Sequence, residues 1–286
     1  LIMDEPTAAL TNKEIGTLLR LIRKLKDEGI TILYISHRMD EIMDLSDRVT
    51  IMRDGHVMTT LNTAETTQGE IIALMVGREL GTEFPKRTAT PGDVVLEVKN
   101  LSTKKVKNVS FELCKGEILG FAGLVGSGRT EIIRAIFGAD QIDSGEIYVR
   151  GKKAEIHKPI HAISLGIGMI PEDRKRQGVH LDQSIKSNMT LLRQKDISTF
   201  FTISGRKEKN LANEYIQSLS IKLGSIDDMV SSLSGGNQQK IVLTKWLAAQ
   251  PDIIFFDEPT RGIDVGAKAE IYTLMDALRN QGKAII

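Results

Sequence analysis

The stretch Glu117-Ile-Leu-Gly-Phe-Ala-Gly-Leu-Val-Gly-Ser-Gly-Arg-Thr130 decides the fold. Glu117 to Ala122 reads as an apolar strand. It runs into a glycine-rich loop, Gly123, Leu124, Val125, Gly126, Ser127, Gly128, Arg129 and Thr130, and then into a helix reaching about Phe137. Strand, glycine loop and helix in that order are the context of a phosphate-binding loop. The glycines let backbone N–H groups curl around phosphate oxygens, and the helix N-terminus adds its dipole. Thr130 offers its hydroxyl to a magnesium ion. Where such loops carry lysine this one has Arg129, which keeps the charge but presents a planar fork in place of a compact ammonium. Nucleotide binding survives that exchange, while efficient phosphoryl transfer at this loop is in question. The plain alternative is a strand–helix turn with no ligand.

Downstream, Ile253-Ile-Phe-Phe256 leads into Asp257 and Glu258. Four apolar residues ending in two acids place carboxylates at the carboxyl end of a buried strand, the edge where ligands bind in open α/β sheets. The first acid, Asp257, suits magnesium. The second, Glu258, suits a general base that polarises the attacking water. The alternative is a turn whose acids cap the next helix. A repeat weakens that alternative. Asp-Glu-Pro-Thr occurs at Asp4–Thr7 and again at Asp257–Thr260, an offset of 253 residues (257 − 4). The same offset maps Leu21 onto Leu274, Leu25 onto Leu278, Gly29 onto Gly282 and Ile32 onto Ile285 without a gap. Each copy reads strand, acids, amphipathic helix, glycine stop, strand. The first helix is expected from about Lys13 to Asp27, with Ile15, Leu18, Leu21, Ile22 and Leu25 on one face. Apolar strands alternating with helices argue for a parallel α/β sheet.

The repeat divides the chain into residues 1–84, the C-terminal part of a first unit; 85–93, a linker rich in proline and glycine; and 94–286, a second unit truncated at its C-terminus. Both chain ends fall inside apolar strand patterns and are expected to be truncations. Arg48 to Thr59 reads as a hairpin turning at Asp54-Gly55, and Thr67 to Val76 as a short helix. Val94–Val98 and Val109–Leu113 read as strands of the second unit. The net charge is +1, from 38 basic and 37 acidic side chains among 286 residues. That balance demands no nucleic-acid partner. The single cysteine, Cys114, excludes an intrachain disulfide and a cysteine-rich zinc site, and suits the cytoplasm. No apolar run reaches the roughly 18 residues of a spanning helix. The longest, around Ile118–Val125 and Ile253–Phe256, are expected to be buried strands. Membrane association is therefore expected to come through a partner.

Leu233-Ser-Gly-Gly-Asn-Gln-Gln-Lys240 precedes Asp257 by 17 residues (257 − 240). Ser234, Gly235 and Gly236 make a good start for a helix running through Trp246, and such a terminus binds a phosphate. The phosphate loop, this serine–glycine–glycine string and Asp-Glu-Pro-Thr, in that order, resemble an ATP-binding cassette (ABC) ATPase over essentially the whole chain. Leu233–Lys240, Arg261-Gly-Ile-Asp-Val-Gly-Ala-Lys268 and Pro171-Glu-Asp-Arg174 resemble the tandem-cassette ATPases of bacterial monosaccharide importers.

That resemblance implies an α/β fold of the phosphate-loop NTPase type, with a mixed or parallel sheet and a helical subdomain over about Ser184–Asp228. It implies two cassettes clasping two ATP molecules with Mg2+. Each site joins the phosphate loop, the acids and a switch histidine of one cassette to the signature of the other. Ile35-Ser36-His37 matches the histidine switch. The first site would use Asp4, Glu5 and His37 with Ser234, Gly235 and Gly236. The second would use Gly123–Thr130, Asp257 and Glu258. Asp4, Asp257, Thr130 and Glu172 would lie around the metal. Glu172 departs from the family, which there carries the glutamine that senses magnesium and the membrane domain. No aromatic residue stands from Leu101 to Asn108, where one often stacks on adenine. The implied activity is ATP hydrolysis driving monosaccharide import, with unequal sites. The implied partners are membrane permease subunits, reached by the helical segment and the loop from Glu172 to Val179, and a periplasmic sugar-binding protein. The implied place is the cytoplasmic face of the inner membrane. A nucleoside importer and a soluble ABC ATPase acting on ribosomes or DNA are the alternatives.

Overall fold

A computed structural model describes residues 1–7, 10–53, 55–76, 92–124, 126–199, 202–263 and 265–286. The chain divides into two compact units. One comprises Leu1–Pro85 with Gly262–Glu270, the other Lys86–Arg261 with Ile271–Ile286. Of the linker stretch, residues 85–91 lie outside the described residues.

In the first unit, strand β1 (Ile2–Asp4) pairs in parallel with β2 (Leu33–Ile35) through helix α1 (Asn12–Asp27). The helix begins one residue earlier than its periodicity suggests, because the Thr11 backbone N–H and hydroxyl both donate to Glu14, at 2.8 and 2.7 Å. Those two bonds hold the Glu14 carboxyl below its ordinary range. Ile15 and Ile22 are buried as expected, but Leu21 is exposed. Helix α2 (Met39–Leu45) leads to the hairpin β3 (Arg48–Arg53) and β4 (His56–Asn62), followed by α3 (Gln68–Val76). The hairpin turns where the sequence places it, with Gly55 at φ 80° and Arg53 opposite His56; Asp54 lies outside the described residues. Met39, Ile42, Val49, Ile51, Ile71 and Ile72 close into one small core.

In the second unit, β5 (Val94–Ser102) lies between β6 (Val109–Cys114) and β7 (Ser144–Val149), all antiparallel, with β8 (Lys152–Lys153) at the edge. Alternate residues Leu96, Val98, Leu113, Ile147 and Val149 are buried. A second sheet is parallel. Its order is β13 (Ala284–Ile285), β12 (Ile253–Phe256), β9 (Ile167–Ile170). Buried on both faces, these strands read as continuous apolar runs. Helix α4 (Arg129–Ile136) follows the phosphate loop, and α5 (Pro159–Ser164) precedes β9. A π-helical turn at Arg174–Gly178 is capped by the Asp173 carboxylate. The segment expected to be a helical subdomain contains α6 (Ile185–Thr190), α7 (Gln194–Ile197), a minimal hairpin of β10 (Ser198–Thr199) and β11 (Thr202–Ile203), and α8 (Gly205–Ser218). Helix α9 (Gly235–Ala248) then packs on β9, and its Trp246 meets Phe137 edge to face at 5.5 Å. Helix α10 (Val265–Asn280) leads to β13. Among the described residues no helix is long and apolar enough to cross a membrane.

One expected strand differs. Glu117 to Ala122 forms no regular strand. It meets β13 through a single parallel bridge, Ile118 to Ile285, with the Leu119 N–H donating to the Ile285 carbonyl at 2.8 Å. Residues 118–124 are half-buried to exposed, not the buried strand that their apolarity suggests. Gly116, at φ 71°, turns the chain in, and beyond Leu119 Gly120 and Gly123 follow within four residues, so few side chains remain to pack.

Candidate functional site

The two copies of the repeat share their backbone in detail. β1 with β2 and β12 with β13 have the same register, each residue facing the one 31 positions on (33 − 2 and 284 − 253). The second acid of each pair sits in the left-handed region, Glu5 at φ 43° and Glu258 at φ 44°. The glycine stops do likewise, Gly29 at 86° and Gly282 at 83°. The hydrogen bonds closing the helices also repeat. The Ile30 N–H donates to the Leu25 carbonyl at 3.1 Å, and the Lys283 N–H to Leu278 at 3.0 Å. Left-handed geometry costs a non-glycine residue of order 1–3 kcal/mol and persists where the surroundings over-determine it, typically at functional sites. Both glutamates turn away from their strand in the same manner.

Their partners differ. In the first unit His37 Nδ1 lies 2.9 Å from Glu5 Oε1, so the histidine and the candidate base are joined directly. Asp4 ends β1 beside them. In the second unit Arg129 Nη2 lies 3.0 Å from Glu258 Oε1, and the substituted loop residue thus pairs with the candidate base. The Thr130 hydroxyl donates to Asp257 Oδ1 at 3.1 Å. Asp257 is 6% exposed, and burial pushes its carboxyl upward against the lowering effect of the Thr130 bond. Its Oδ2 is buried without a partner.

The loop itself is constrained. Gly128 caps α4 at φ 96°, and a Cβ there would come within 2.4 Å of Val106. A Cβ on Gly123 would meet Ser127 Oγ at 2.4 Å. Gly126 is also left-handed, at φ 82°, and Leu124 and Ser127 are exposed. Val125 lies outside the described residues. Glycine at 128 is thus demanded by both backbone and space.

Magnesium prefers a few hard oxygen ligands alongside substrate phosphates. The Thr130 hydroxyl and the partnerless Asp257 oxygen, at the start of a helix, fit that chemistry. The Glu172 carboxylate is engaged by the Arg261 guanidinium, whose backbone carbonyl accepts from Arg174 at 3.1 Å. Ser234 is the N-cap of α9, as expected, with Gly235 and Gly236 in its first turn. Asn237 donates to the Ser234 hydroxyl at 3.2 Å, and the buried Gln238 donates to the Leu233 carbonyl at 3.1 Å. Asn237, Gln238 and Arg261 stand inside the quoted strings, but their side-chain bonds carry no signal in spacing or periodicity.

A phosphate loop whose threonine touches the acid ending a buried parallel strand defines a nucleotide-binding P-loop cassette. The ABC transporter family model matches residues 106–261, and the chain belongs to that family. It is 51% identical over its whole length to a ribose import ATP-binding protein of Halalkalibacterium halodurans, covering 58% of that protein. It is 50% identical to a Bacillus subtilis protein of the same name, again covering 58%, and 50% identical to a ribose/galactose/methyl galactoside import ATP-binding protein of Burkholderia ambifaria, covering 56%. The chain thus spans less than three-fifths of the length of these relatives. Among solved structures, an ATP-binding cassette of an ABC transporter superposes with a TM-score of 0.58 at 20% identity, covering 68% of this chain and 80% of that one. The fold is that of the ABC-type P-loop NTPase.

Proposed function

We propose that this chain is part of the ATP-hydrolysing subunit of a bacterial monosaccharide importer. The observation that carries the proposal is the Thr130–Asp257 contact beside a left-handed Glu258, together with identities near 50% to proteins named for ribose import. ATP binds with its phosphates in the loop Gly123–Thr130. Thr130 and Asp257 hold Mg2+, which supplies charge neutralisation at the phosphates. Glu258 and, in the first cassette, Glu5 orient the attacking water, while Asp4 serves the metal and His37 the γ-phosphate. Ser234 and the N–H groups of Gly235 and Gly236 open α9 toward a phosphate presented by a facing cassette.

The two sites are unequal. The second site's phosphate loop carries Arg129 where such loops carry lysine. Glu258 is paired with that arginine, which is always charged and holds the carboxylate in an ion pair. The first site therefore carries most turnover, and the second binds more than it hydrolyses. The subunit sits peripherally on the cytoplasmic face of the inner membrane. It docks on a permease through the 172–179 loop and the 184–228 segment, and a periplasmic binding protein selects the sugar. The test is reconstitution of the full-length tandem-cassette protein carrying this sequence with its permease in proteoliposomes. ATP-dependent uptake of ribose or galactose supports the reading. Uptake of nucleosides alone, or copurification with ribosomes and no permease, contradicts it.

A further inference from the structure

Glu41, on α2, is 3% exposed, and four side chains converge on its carboxylate. The Tyr34 hydroxyl donates to Oε2 at 2.7 Å, the Thr7 hydroxyl at 3.0 Å and the Ser36 hydroxyl at 3.1 Å. Arg38 Nε stands 3.0 Å from Oε1, as an ion pair without hydrogen-bond alignment. A buried carboxylate is costly unless compensated, and here three donors satisfy Oε2 while the Arg38 cation offsets the charge at Oε1, which accepts no hydrogen bond.

The donors have a pattern in sequence. Thr7 lies two residues after Glu5, across Pro6. Ser36 and Arg38 flank His37 on either side. Tyr34 lies opposite Met3 in the β1–β2 register, just before Asp4 and Glu5. Ser36 is held twice, since its hydroxyl also accepts the Arg38 N–H at 3.0 Å. One carboxylate therefore ties down both segments that carry the Glu5–His37 contact, through bonds to their neighbours. The Glu5–His37 contact joins these two segments, so holding both in place keeps the pair in register. Burial and the bond to Glu41 raise the Tyr34 hydroxyl to about 12, so it remains a donor throughout the neutral range.

We propose that Glu41 is the positioning residue of the Glu5–His37 pair: it gathers Thr7, Tyr34, Ser36 and Arg38 so that base and histidine stay in register for hydrolysis. The proposal rests on the reading of Glu5 and His37 as the hydrolytic pair. Displacing a reacting group by about 1 Å can cost on the order of a hundredfold in rate, so a clamp of this kind has a large kinetic reach.

The test uses the full-length tandem-cassette protein with E41Q, the milder S36A, and each combined with H37A. Glutamine at 41 offers an amide donor where hydroxyls and a guanidinium already donate. Turnover of E41Q is expected to fall about tenfold or more, and of S36A about threefold, with KM for ATP within about twofold of wild type. Neither change is expected to lower turnover further in the H37A background. Full turnover in E41Q, or a loss that persists undiminished with H37A, overturns the proposal. If E41Q fails to fold, full turnover in S36A overturns it. If H37A alone leaves turnover intact, the reading of the hydrolytic pair fails instead, a result distinct from the others.

Discussion

In the first copy of the repeat, Ile2 is 71% and Leu33 58% exposed; their counterparts in the second, Phe255 and Ile286, are 0% and 9% exposed. β1 and β2 form a sheet of two strands, whereas β12 is hydrogen-bonded on both sides, to β9 and β13. Yet strand register, left-handed glutamate and glycine stop are the same in both. Burial therefore does not set the geometry of the acid turn. Local factors set it: an apolar strand, a proline after the acids, a helix and a glycine that closes it. Within this chain Glu5 meets a histidine and Glu258 an arginine; the position matching that histidine in the second copy (37 + 253 = 290) and the one matching that arginine in the first lie outside these 286 residues.

The largest expected contrast is in stability. Phe255→Ala removes a fully buried ring and should destabilise its unit by about 3–5 kcal/mol. Ile2→Ala, at the counterpart position, should stay within about 0.5 kcal/mol. Chemical denaturation of this chain measures both, and comparable losses would break the contrast.

A smaller effect comes from Lys245 on α9, the helix that covers β9. Burial lowers its ammonium to about 8, and its Nζ donates to the Gly178 carbonyl. Between about pH 8 and 10.5 the unfolded chain binds a proton that the folded one has lost, so stability rises with pH there; below 8 the full cost of the buried charge is present. K245M should therefore stabilise the second unit at pH 7 by about 1–3 kcal/mol, the gap narrowing toward pH 10.5. A gap that widens with pH would contradict this. The smallest effect is kinetic. In an E5Q background, R129K should raise residual turnover about fivefold, about 1 kcal/mol of barrier, by loosening the hold on Glu258. Unchanged or lower turnover would show that the arginine is not what restrains that site.

The sequence reading reached the repeat, α1, the β3–β4 hairpin, β12 and the Ser234 cap, since each is written in periodicity or capping residues within a short window. It overreached at Glu117–Ala122, where apolar residues stand beside glycines that carry the chain out of the sheet. It placed Leu21 on a buried face because period alone cannot say whether anything covers that face. Thr130 with Asp257, and Glu5 with His37, were legible as motif pairs, though not their contact distances. The ion pair of Glu172 with Arg261 is not legible in the sequence, since the two residues lie 89 positions apart (261 − 172). Glu41 was invisible: its donors come from four positions between 7 and 38, and only the fold shows that they share one carboxylate.

Separate E5Q and E258Q variants of the full-length tandem-cassette protein test the inequality of the two glutamates most directly, through steady-state ATP hydrolysis. E5Q should lower turnover about a hundredfold or more, the scale for losing a positioned general base, and E258Q by less than about threefold. Equal losses from the two substitutions would contradict it.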